Sequence, residues 1–138
     1  MDHPIHIFPI GIVRRQGEKT WIELKEDLVE GLLGLEAFSH IIVLYWFHHN
    51  DTPARRAILQ VRPKKNPANP LTGVFATHAP VRPNLIALTI CEIVSIEHNT
   101  IIIRDIDARD GSPVLDIKCY RPSKQDSQVR IPEWAADG

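Results

Sequence analysis

Cysteine is scarce in this sequence, and long apolar runs are missing from it. Cys91 and Cys119 are its two cysteines, and we expect both to be buried, reduced thiols rather than a disulfide. No apolar run reaches the length that a membrane-spanning helix requires. The start, MDHPIHIFPIG, lacks the basic stretch and apolar block of a signal peptide. These absences predict a cytoplasmic protein that neither enters nor spans a membrane.

The motifs of common cofactor and nucleophile sites are also absent. There is no GxGxxG, so neither a dinucleotide-binding fold nor a Rossmann-type methyltransferase is indicated, and there is no GxxxxGK[ST] or GxSxG. No HxH, HExxH or CxxC spacing supports a metal site, so we expect none. His48 and His49, adjacent at the end of a predicted strand, should point to opposite faces. One of them then faces a cleft as a hydrogen-bonding group.

The charge balance argues against a protein that holds nucleic acid with its whole surface. Sixteen Lys and Arg residues stand against seventeen Asp and Glu, a formal net charge of −1, whereas such proteins are usually basic. A local basic cluster does exist, made of Arg55, Arg56, Arg62, Lys64 and Lys65. It is interpreted either as a solvated loop or as a phosphate contact with RNA.

Short apolar segments separated by turns predict a β-rich fold. We expect strands at 5–14, 20–24, 40–48, 57–61, 86–97, 100–105 and 113–119. The continuous apolar run in 40–48 indicates a strand buried on both faces. One or two helical turns are expected in 27–38, and three prolines make 62–70 a loop. Many short strands with few helices predict a compact, closed or nearly closed, non-Rossmann β-barrel over 1–122, followed by a tail over 123–138.

The loop GVFATHAPVRPN, from Gly73 to Asn84, concentrates polar groups between prolines. We expect Val74 and Phe75 to anchor it to the core. Pro80 and Pro83 restrict its backbone, which a preorganised ligand site requires. Its polar side chains are those of Thr77, His78, Arg82 and Asn84. A surface crossover between strands is the alternative interpretation.

A second polar stretch, DARDGSPVLDIKCYRP, spans 107–122. Its turn, Asp110-Gly111-Ser112, offers backbone amides and a hydroxyl group. Asp116 and Lys118 alternate with apolar neighbours and therefore share one face of the strand. That pair is either a solvated ion pair or a ligand contact.

Four segments, in this order, resemble the signatures of the TsaA/TrmO-like family. They are PIGIVRR, GLEAFSHIIVLYWFHHN, GVFATHAPVRPNLIAL and DGSPVLDIKCYRP. The family counterparts read PIGxIRS, GLEGFSHIWVLFWFHQ, GVFATRSPxRPNPIGL and DGTPVLDIKPYLP. The resemblance covers about residues 9–122, and motifs of this length in a shared order form a specific signal.

The resemblance implies a compact β-barrel, usually a homodimer, that binds S-adenosylmethionine without a Rossmann fold. Characterised members methylate the exocyclic amine nitrogen of threonylcarbamoyl-adenosine in transfer RNA. The chain is therefore expected to be a transfer-RNA methyltransferase with S-adenosylmethionine as cofactor and transfer RNA as partner. Two alternatives stay open: a binding module or sensor for S-adenosylmethionine without this activity, and a methyltransferase that acts on a small molecule.

The site residues are carried over position by position. The expected cofactor contacts are Arg15, Gln16, His48, His49, Thr77, His78, Leu88, Arg109, Asp110, Gly111 and Ser112. The expected substrate contacts are Arg82, Asn84, Asp116 and Lys118. The acceptor of the amine proton is left open among Asp116, Asp110 and His78. The chain departs from the family where His78 replaces an arginine, because an imidazole does not reproduce a guanidinium fork.

Overall fold

The computed structural model describes residues 2–124 and 126–136 and divides into two compact units. The first, Met1–His49 with Ile86–Tyr120, is called the barrel unit below. The second, Asn50–Leu85 with Arg121–Gly138, is called the hairpin unit. Each unit is described by itself.

Eight strands lie within the described residues. In chain order they are β1 (Gly11–Gln16), β2 (Lys19–Leu24), β3 (His40–Trp46), β4 (Gln60–Val61), β5 (Thr72–Gly73), β6 (Ile86–Glu97), β7 (Thr100–Arg104) and β8 (Pro113–Cys119). Six of them close an antiparallel barrel in the order β1-β2-β7-β6-β3-β8, and β4 pairs with β5. The predicted non-Rossmann β-barrel is thereby confirmed.

Among the residues that the structure describes, helical structure is limited to short pieces. One four-residue α-helix, α1, spans Pro53–Arg56 and begins at Thr52, whose Oγ1 accepts the main-chain N–H of Arg55 at 3.2 Å. The 3₁₀ helices span Glu26–Leu32, Leu35–Ala37, His48–Asn50, Val74–Ala76, Asp126–Gln128 and Glu133–Ala135, and Pro63–Lys65 is a single turn with left-handed backbone angles at Lys64 and Lys65. The helical turns expected in 27–38 are thus present in the 3₁₀ form. No helix within 2–124 and 126–136 has the length and apolar character needed to cross a membrane.

The barrel core is built from alternate side chains of its strands. In β3, Ile41, Val43 and Tyr45 are buried, and the residues between them are half-buried. The prediction that this strand is buried on both faces was wrong, because a barrel strand turns every second side chain inward. The other fully enclosed core residues of the barrel strands include Val13, Ile22, Ile101 and Val114.

Three predicted strands differ from the observed ones. The strand expected at 5–14 is β1, which starts at Gly11, and Ile5 and Phe8 before it are exposed. The strand expected at 57–61 shrinks to the two residues of β4, because α1 occupies the segment just before it. The end of β3 at Trp46 also places His48 outside the strand in which it was expected.

The two cysteines have different surroundings, and neither forms a disulfide. Cys91 is buried in the barrel core, and burial raises the pKa of its thiol to about 12. Cys119 is exposed at the last position of β8. The expectation of two buried thiols was therefore wrong for Cys119, because the end of this strand faces solvent.

Candidate functional site

The turn between β7 and β8 is fastened to the end of β1 by Arg15. Its Nε donates to the carbonyl oxygen of Ala108 at 2.5 Å, and its Nη2 donates to that of Ile106. The main-chain N–H of Arg15 donates to Oδ1 of Asp110 at 2.8 Å. The guanidinium group, expected to contact the cofactor, thus holds the backbone of 106–110 in place.

The following residues, Asp110-Gly111-Ser112, form the tight turn that the sequence predicted. The Gly111 N–H donates to the Val13 carbonyl at 2.8 Å, and the Val13 N–H donates to the Ser112 carbonyl at 2.9 Å. Gly111 has a φ of +84°, in the left-handed region that glycine adopts at low cost. The buried Ser112 hydroxyl donates to the Arg109 carbonyl at 2.7 Å. Its observed role is to close the turn.

An open cleft of about 560 Å³ lies at this end of the barrel unit. Such a volume falls in the range of small-molecule sites. The cleft is lined by Arg15, His49, Asp107, Ala108, Arg109 and Asp110. It therefore combines carboxylates, guanidinium groups and an imidazole within one depression. Four of these residues were predicted from the sequence as cofactor contacts.

Asp107 is the charged cleft residue that the sequence reading missed. It lies inside the DIDARDG segment, where only the later residues match a family signature. Its carboxylate also affects the barrel interior. Burial raises the pKa of the Tyr45 phenol, the hydrogen bond to Thr89 opposes this shift, and the charge of Asp107 adds to it. The sequence does carry a signal for Asp107, because two aspartates stand two positions apart before the Asp110-Gly111 turn.

The two adjacent histidines lie in the 3₁₀ helix after β3. Their ring centroids are 4.2 Å apart with an interplanar angle of 45°. The prediction of opposite faces was wrong, because a 3₁₀ turn replaces the strand geometry there. Local desolvation lowers the pKa of His49, and the charges of His48 and Arg109 lower it further. No group of three or more potential metal ligands occurs among the residues that the structure describes.

The remaining predicted residues of the barrel unit lie elsewhere on it. Gln16 is exposed at the end of β1, and Leu88 is 59% exposed on β6. Asp116 and Lys118 form an ion pair of 3.4 Å between Oδ2 and Nζ, with both side chains more than half exposed. Asp116 lines a separate, largely apolar cleft with Ile10. The structure thus groups Asp110 with Arg15 and places Asp116 apart from them.

The loop Gly73–Asn84, called the signature loop below, belongs to the hairpin unit and is braced by two of its own polar side chains. Thr77 Oγ1 donates to the Val74 carbonyl at 2.9 Å and accepts the Ala79 N–H at 3.0 Å. Arg82 Nη1 donates to the carbonyl oxygens of Thr77 and Ala79 at 3.1 and 3.2 Å. These bonds preorganise the loop. Both residues were predicted to contact a ligand, and their observed partners lie within the loop.

Other residues of this loop face solvent. The side chain of His78 is exposed, and Asn84 Oδ1 accepts a bond from Arg56 Nη2 at 3.3 Å. Val74 is buried, as expected, but Phe75 is 78% exposed. The prediction that Phe75 anchors the loop was wrong, because the 3₁₀ helix Val74–Ala76 turns consecutive side chains in different directions.

Charge is distributed unequally between the two units. The barrel unit carries seven Lys and Arg residues against thirteen Asp and Glu, a net charge of −6. The hairpin unit carries nine against four, a net charge of +5. The near-neutral balance of the whole chain therefore conceals one acidic and one basic unit. Counting charges by segment would have found this from the sequence.

Comparison with known proteins agrees with this architecture. The family model described as the tRNA-methyltransferase O N-terminal domain matches residues 6–126. A probable S-adenosyl-L-methionine-binding protein of Methanocaldococcus jannaschii is 44% identical over 115 residues, which cover 83% of this chain and 91% of that protein. The human tRNA (adenine(37)-N6)-methyltransferase is 42% identical over 106 residues, 77% of this chain and 23% of that enzyme.

The crystal structure of TrmO from Pseudomonas aeruginosa matches with a TM-score of 0.72 and 27% sequence identity. The match covers 96% of this chain and 62% of that one, so this chain spans about three-fifths of the length of that TrmO chain. The family match extends over most of the chain and includes both the barrel strands and the signature loop. The chain therefore belongs to the family of tRNA-methyltransferase O N-terminal domains.

Proposed function

We propose that this protein is an S-adenosylmethionine-dependent methyltransferase that acts on transfer RNA. The observation that carries the proposal is the cleft at the β7–β8 turn, together with the family to which the chain belongs. Two relatives support the same cofactor and substrate class, since one is a probable S-adenosyl-L-methionine-binding protein and the other a tRNA (adenine(37)-N6)-methyltransferase.

The residues of the cleft fit the chemical groups of S-adenosylmethionine. Asp107 and Asp110 supply carboxylates for an ammonium group or ribose hydroxyls, and Arg109 supplies a cation for a carboxylate. The hydrogen bonds from Arg15 hold this stretch of backbone before any ligand arrives. Such preorganisation lowers the entropy lost on binding.

The main contribution of the chain to methyl transfer is to position the methyl donor and the acceptor amine. When bound, S-adenosylmethionine would supply an electrophilic methyl group on a sulfonium, and its transfer to an amine nitrogen would break the sulfur–methyl bond and leave a neutral thioether. Holding the amine in line is worth about 7–11 kcal/mol at best. The amine also loses a proton, and a nearby carboxylate is a suitable acceptor. Of the three acceptors considered from the sequence, Asp110 is the one that lines the cleft.

The proposed function extends to the atom of transfer RNA that becomes methylated. We propose the exocyclic N6 amine of threonylcarbamoyl-adenosine in transfer RNA, as the family resemblance implies. Transfer RNA as substrate also supports a cytoplasmic location. The test is methyl transfer from labelled S-adenosylmethionine to purified transfer RNA with and without the threonylcarbamoyl group. Label on the modified nucleoside alone supports the assignment, and equal labelling of both contradicts it.

A second candidate function is a sensor or binding module for S-adenosylmethionine. The specific observation in its favour is His78, an exposed imidazole where the family signature has arginine. Substituting His78→Arg discriminates between the two functions. A methyltransferase whose loop is already competent keeps its turnover in this variant. A protein that gains methyl transfer only after the substitution is better described as a sensor.

We also propose that the protein forms a homodimer through the outer face of β6. Along this strand Ile86, Leu88 and Ile90 are 42–59% exposed at alternate positions, and Val94, at the register shift between Ile93 and Ser95, is 44% exposed. Exposed apolar side chains at alternate positions of one strand are typical of an interaction surface. Light scattering of the wild type and of Leu88→Lys tests this point. A dimer that dissociates in the variant supports it, and a wild-type monomer at high concentration contradicts it.

A further inference from the structure

The basic character of the hairpin unit is concentrated in one stretch of the chain. Residues 50–85 contain six Lys and Arg side chains and a single acidic residue, Asp51. An excess of positive charge in one segment of an otherwise acidic protein is typical of an electrostatic contact with a polyanion. The surroundings of each cation indicate which of them are available for such a contact.

The arginines of this stretch stabilise the hairpin unit itself. Arg56 Nε donates to the Pro83 carbonyl at 2.8 Å, and Arg55 Nη1 donates to Asn50 Oδ1 at 3.0 Å. Arg62 Nη1 donates to the Asn69 carbonyl at 2.9 Å. Together with Arg82, whose bonds brace the signature loop, these side chains are engaged internally.

Lys64 and Lys65 differ from the arginines. Both are exposed, and neither forms a hydrogen bond or an ion pair within residues 2–124 and 126–136. Both have left-handed backbone angles, with φ of 59° and 52°. Two successive residues other than glycine in this region are uncommon, and such strain persists where the surroundings over-determine the backbone.

The backbone on either side of the two lysines is held by several hydrogen bonds. Pro63 is buried, and its carbonyl accepts Asn69 Nδ2 at 2.8 Å and the Asn66 N–H at 3.2 Å. Asn66 Oδ1 in turn accepts the Ala68 N–H at 3.0 Å. The loop expected to be irregular is therefore preorganised. It presents two ammonium groups at the end of the β4–β5 hairpin, so little backbone entropy is lost when an anion binds.

An aromatic ring is exposed on the same hairpin. Phe75 lies two residues after the end of β5, in the 3₁₀ helix Val74–Ala76, and is 78% exposed, although it is one of the large apolar side chains that usually become buried. Exposed aromatic rings stack on unpaired nucleobases, and lysines contact the phosphates between them. A membrane surface or an acidic protein would use the two lysines but would not require the ring to stack.

We infer that the β4–β5 hairpin binds a single-stranded segment of RNA, with Lys64 and Lys65 against phosphate oxygens and Phe75 stacked on an unpaired base. This inference rests on the proposed function, which supplies RNA as the partner. The lysine contacts give affinity without sequence information. The stacking contact selects unpaired loops over duplexes.

The first experiment measures the binding of the full chain to unmodified transfer RNA and its isolated anticodon stem-loop by fluorescence anisotropy at several salt concentrations. The variants are Lys64→Glu/Lys65→Glu and Lys64→Asn/Lys65→Asn, since asparagine tolerates left-handed angles while removing the charge. Lys19→Glu/Lys25→Glu on the barrel unit is the control with the same charge change. Circular dichroism and S-adenosylmethionine calorimetry check that each variant is folded.

The hairpin variants should lose RNA affinity while S-adenosylmethionine binding stays unchanged. Because each lysine lost from a single-strand contact lowers the slope of log K against log salt by about 0.7, the asparagine variant should lose about 1.4 from that slope. The control should keep the wild-type slope. A hairpin variant with the wild-type slope overturns the inference while leaving the proposed function intact. A wild type that binds S-adenosylmethionine but no RNA overturns both.

The second experiment tests the stacking contact by two substitutions of one side chain. Phe75→Leu removes the π face but keeps an apolar group, whereas Phe75→Trp retains a stacking surface. The leucine variant should bind the anticodon stem-loop at least about fivefold more weakly, and the tryptophan variant should bind as the wild type does. Affinity for a blunt RNA duplex should not change. Equal binding of the stem-loop by Phe75→Leu and wild type contradicts the stacking contact.

Discussion

The barrel unit and the hairpin unit are built on different physical principles. Six paired strands with alternating buried side chains stabilise the acidic barrel unit. The basic hairpin unit has strands of two residues, and segment 50–85 alone holds six of the eleven prolines of the chain. Its loops are held by side-chain bonds to main-chain carbonyls. The comparison indicates that the barrel supplies stability and that the loops supply preformed contacts.

The largest expected effect comes from disturbing the closest approach of two barrel strands. A Cβ at Gly11 would lie 2.6 Å from the carbonyl oxygen of Glu23 on β2. Gly11→Ala should therefore lower the free energy of unfolding by about 1–3 kcal/mol, measured by urea denaturation. Gly31→Ala is the control, because no atom lies within 4 Å of its added Cβ. Equal stability of both variants would show that the strand contact is not tight.

The next effect concerns the turn that borders the cleft. Arg15→Ala removes the side-chain bonds to the carbonyls of Ala108 and Ile106, so the 106–110 backbone should loosen. We expect S-adenosylmethionine affinity to fall by about tenfold or more, measured by calorimetry, with a small change in stability. Arg14→Ala, which removes an exposed contact of 3.9 Å to Glu23, should leave affinity unchanged. Equal affinities of the two variants would argue against a positioning role for Arg15.

A smaller effect is expected in the signature loop. Thr77→Val removes both hydrogen bonds of the Thr77 hydroxyl and should cost about 1 kcal/mol of local stability. Faster hydrogen exchange at the Ala79 amide is the measurement, and Thr77→Ser should restore the wild-type protection. If the Ala79 amide exchanges as slowly in Thr77→Val as in Thr77→Ser, the hydroxyl group does not brace the loop.

The smallest effect is chemical and leaves the fold unchanged. Cys91 is buried with a thiol pKa of about 12, so it should remain a neutral, unreactive thiol near pH 8. The exposed Cys119 should be alkylated by iodoacetamide under the same native conditions. Mass spectrometry should find one label on the folded chain and two after denaturation. Rapid double labelling of the folded chain would contradict the burial of Cys91.

The barrel was predictable because its sequence repeats a simple pattern. Alternating apolar residues and turn signals located β2, β6, β7 and β8 closely. The hairpin unit was less predictable, because its conformation depends on side-chain bonds between positions that no periodicity marks. The pairing of Asn69 with Pro63 and the exposure of Phe75 are examples.

The candidate site was predicted in part for the same reason. The family signatures located Asp110, Gly111 and Ser112 in their turn, but they did not mark Asp107. Pattern reasoning also placed His48 and His49 on opposite strand faces, because it extended β3 past its observed end. The hydrogen bonds from the Arg15 guanidinium to the carbonyls of Ala108 and Ile106 depend on the path of a loop more than 90 residues away in the chain, which local sequence does not encode.

The most direct test of the central claim is methyl transfer from labelled S-adenosylmethionine to transfer RNA by the purified full chain. Asp110→Asn is the matched variant, because it keeps the side-chain shape in the cleft but removes the carboxylate. The account predicts label on an adenosine with the wild-type protein and at least about tenfold slower transfer by the variant. A wild-type protein that binds the cofactor yet transfers no methyl group to any transfer RNA would contradict it.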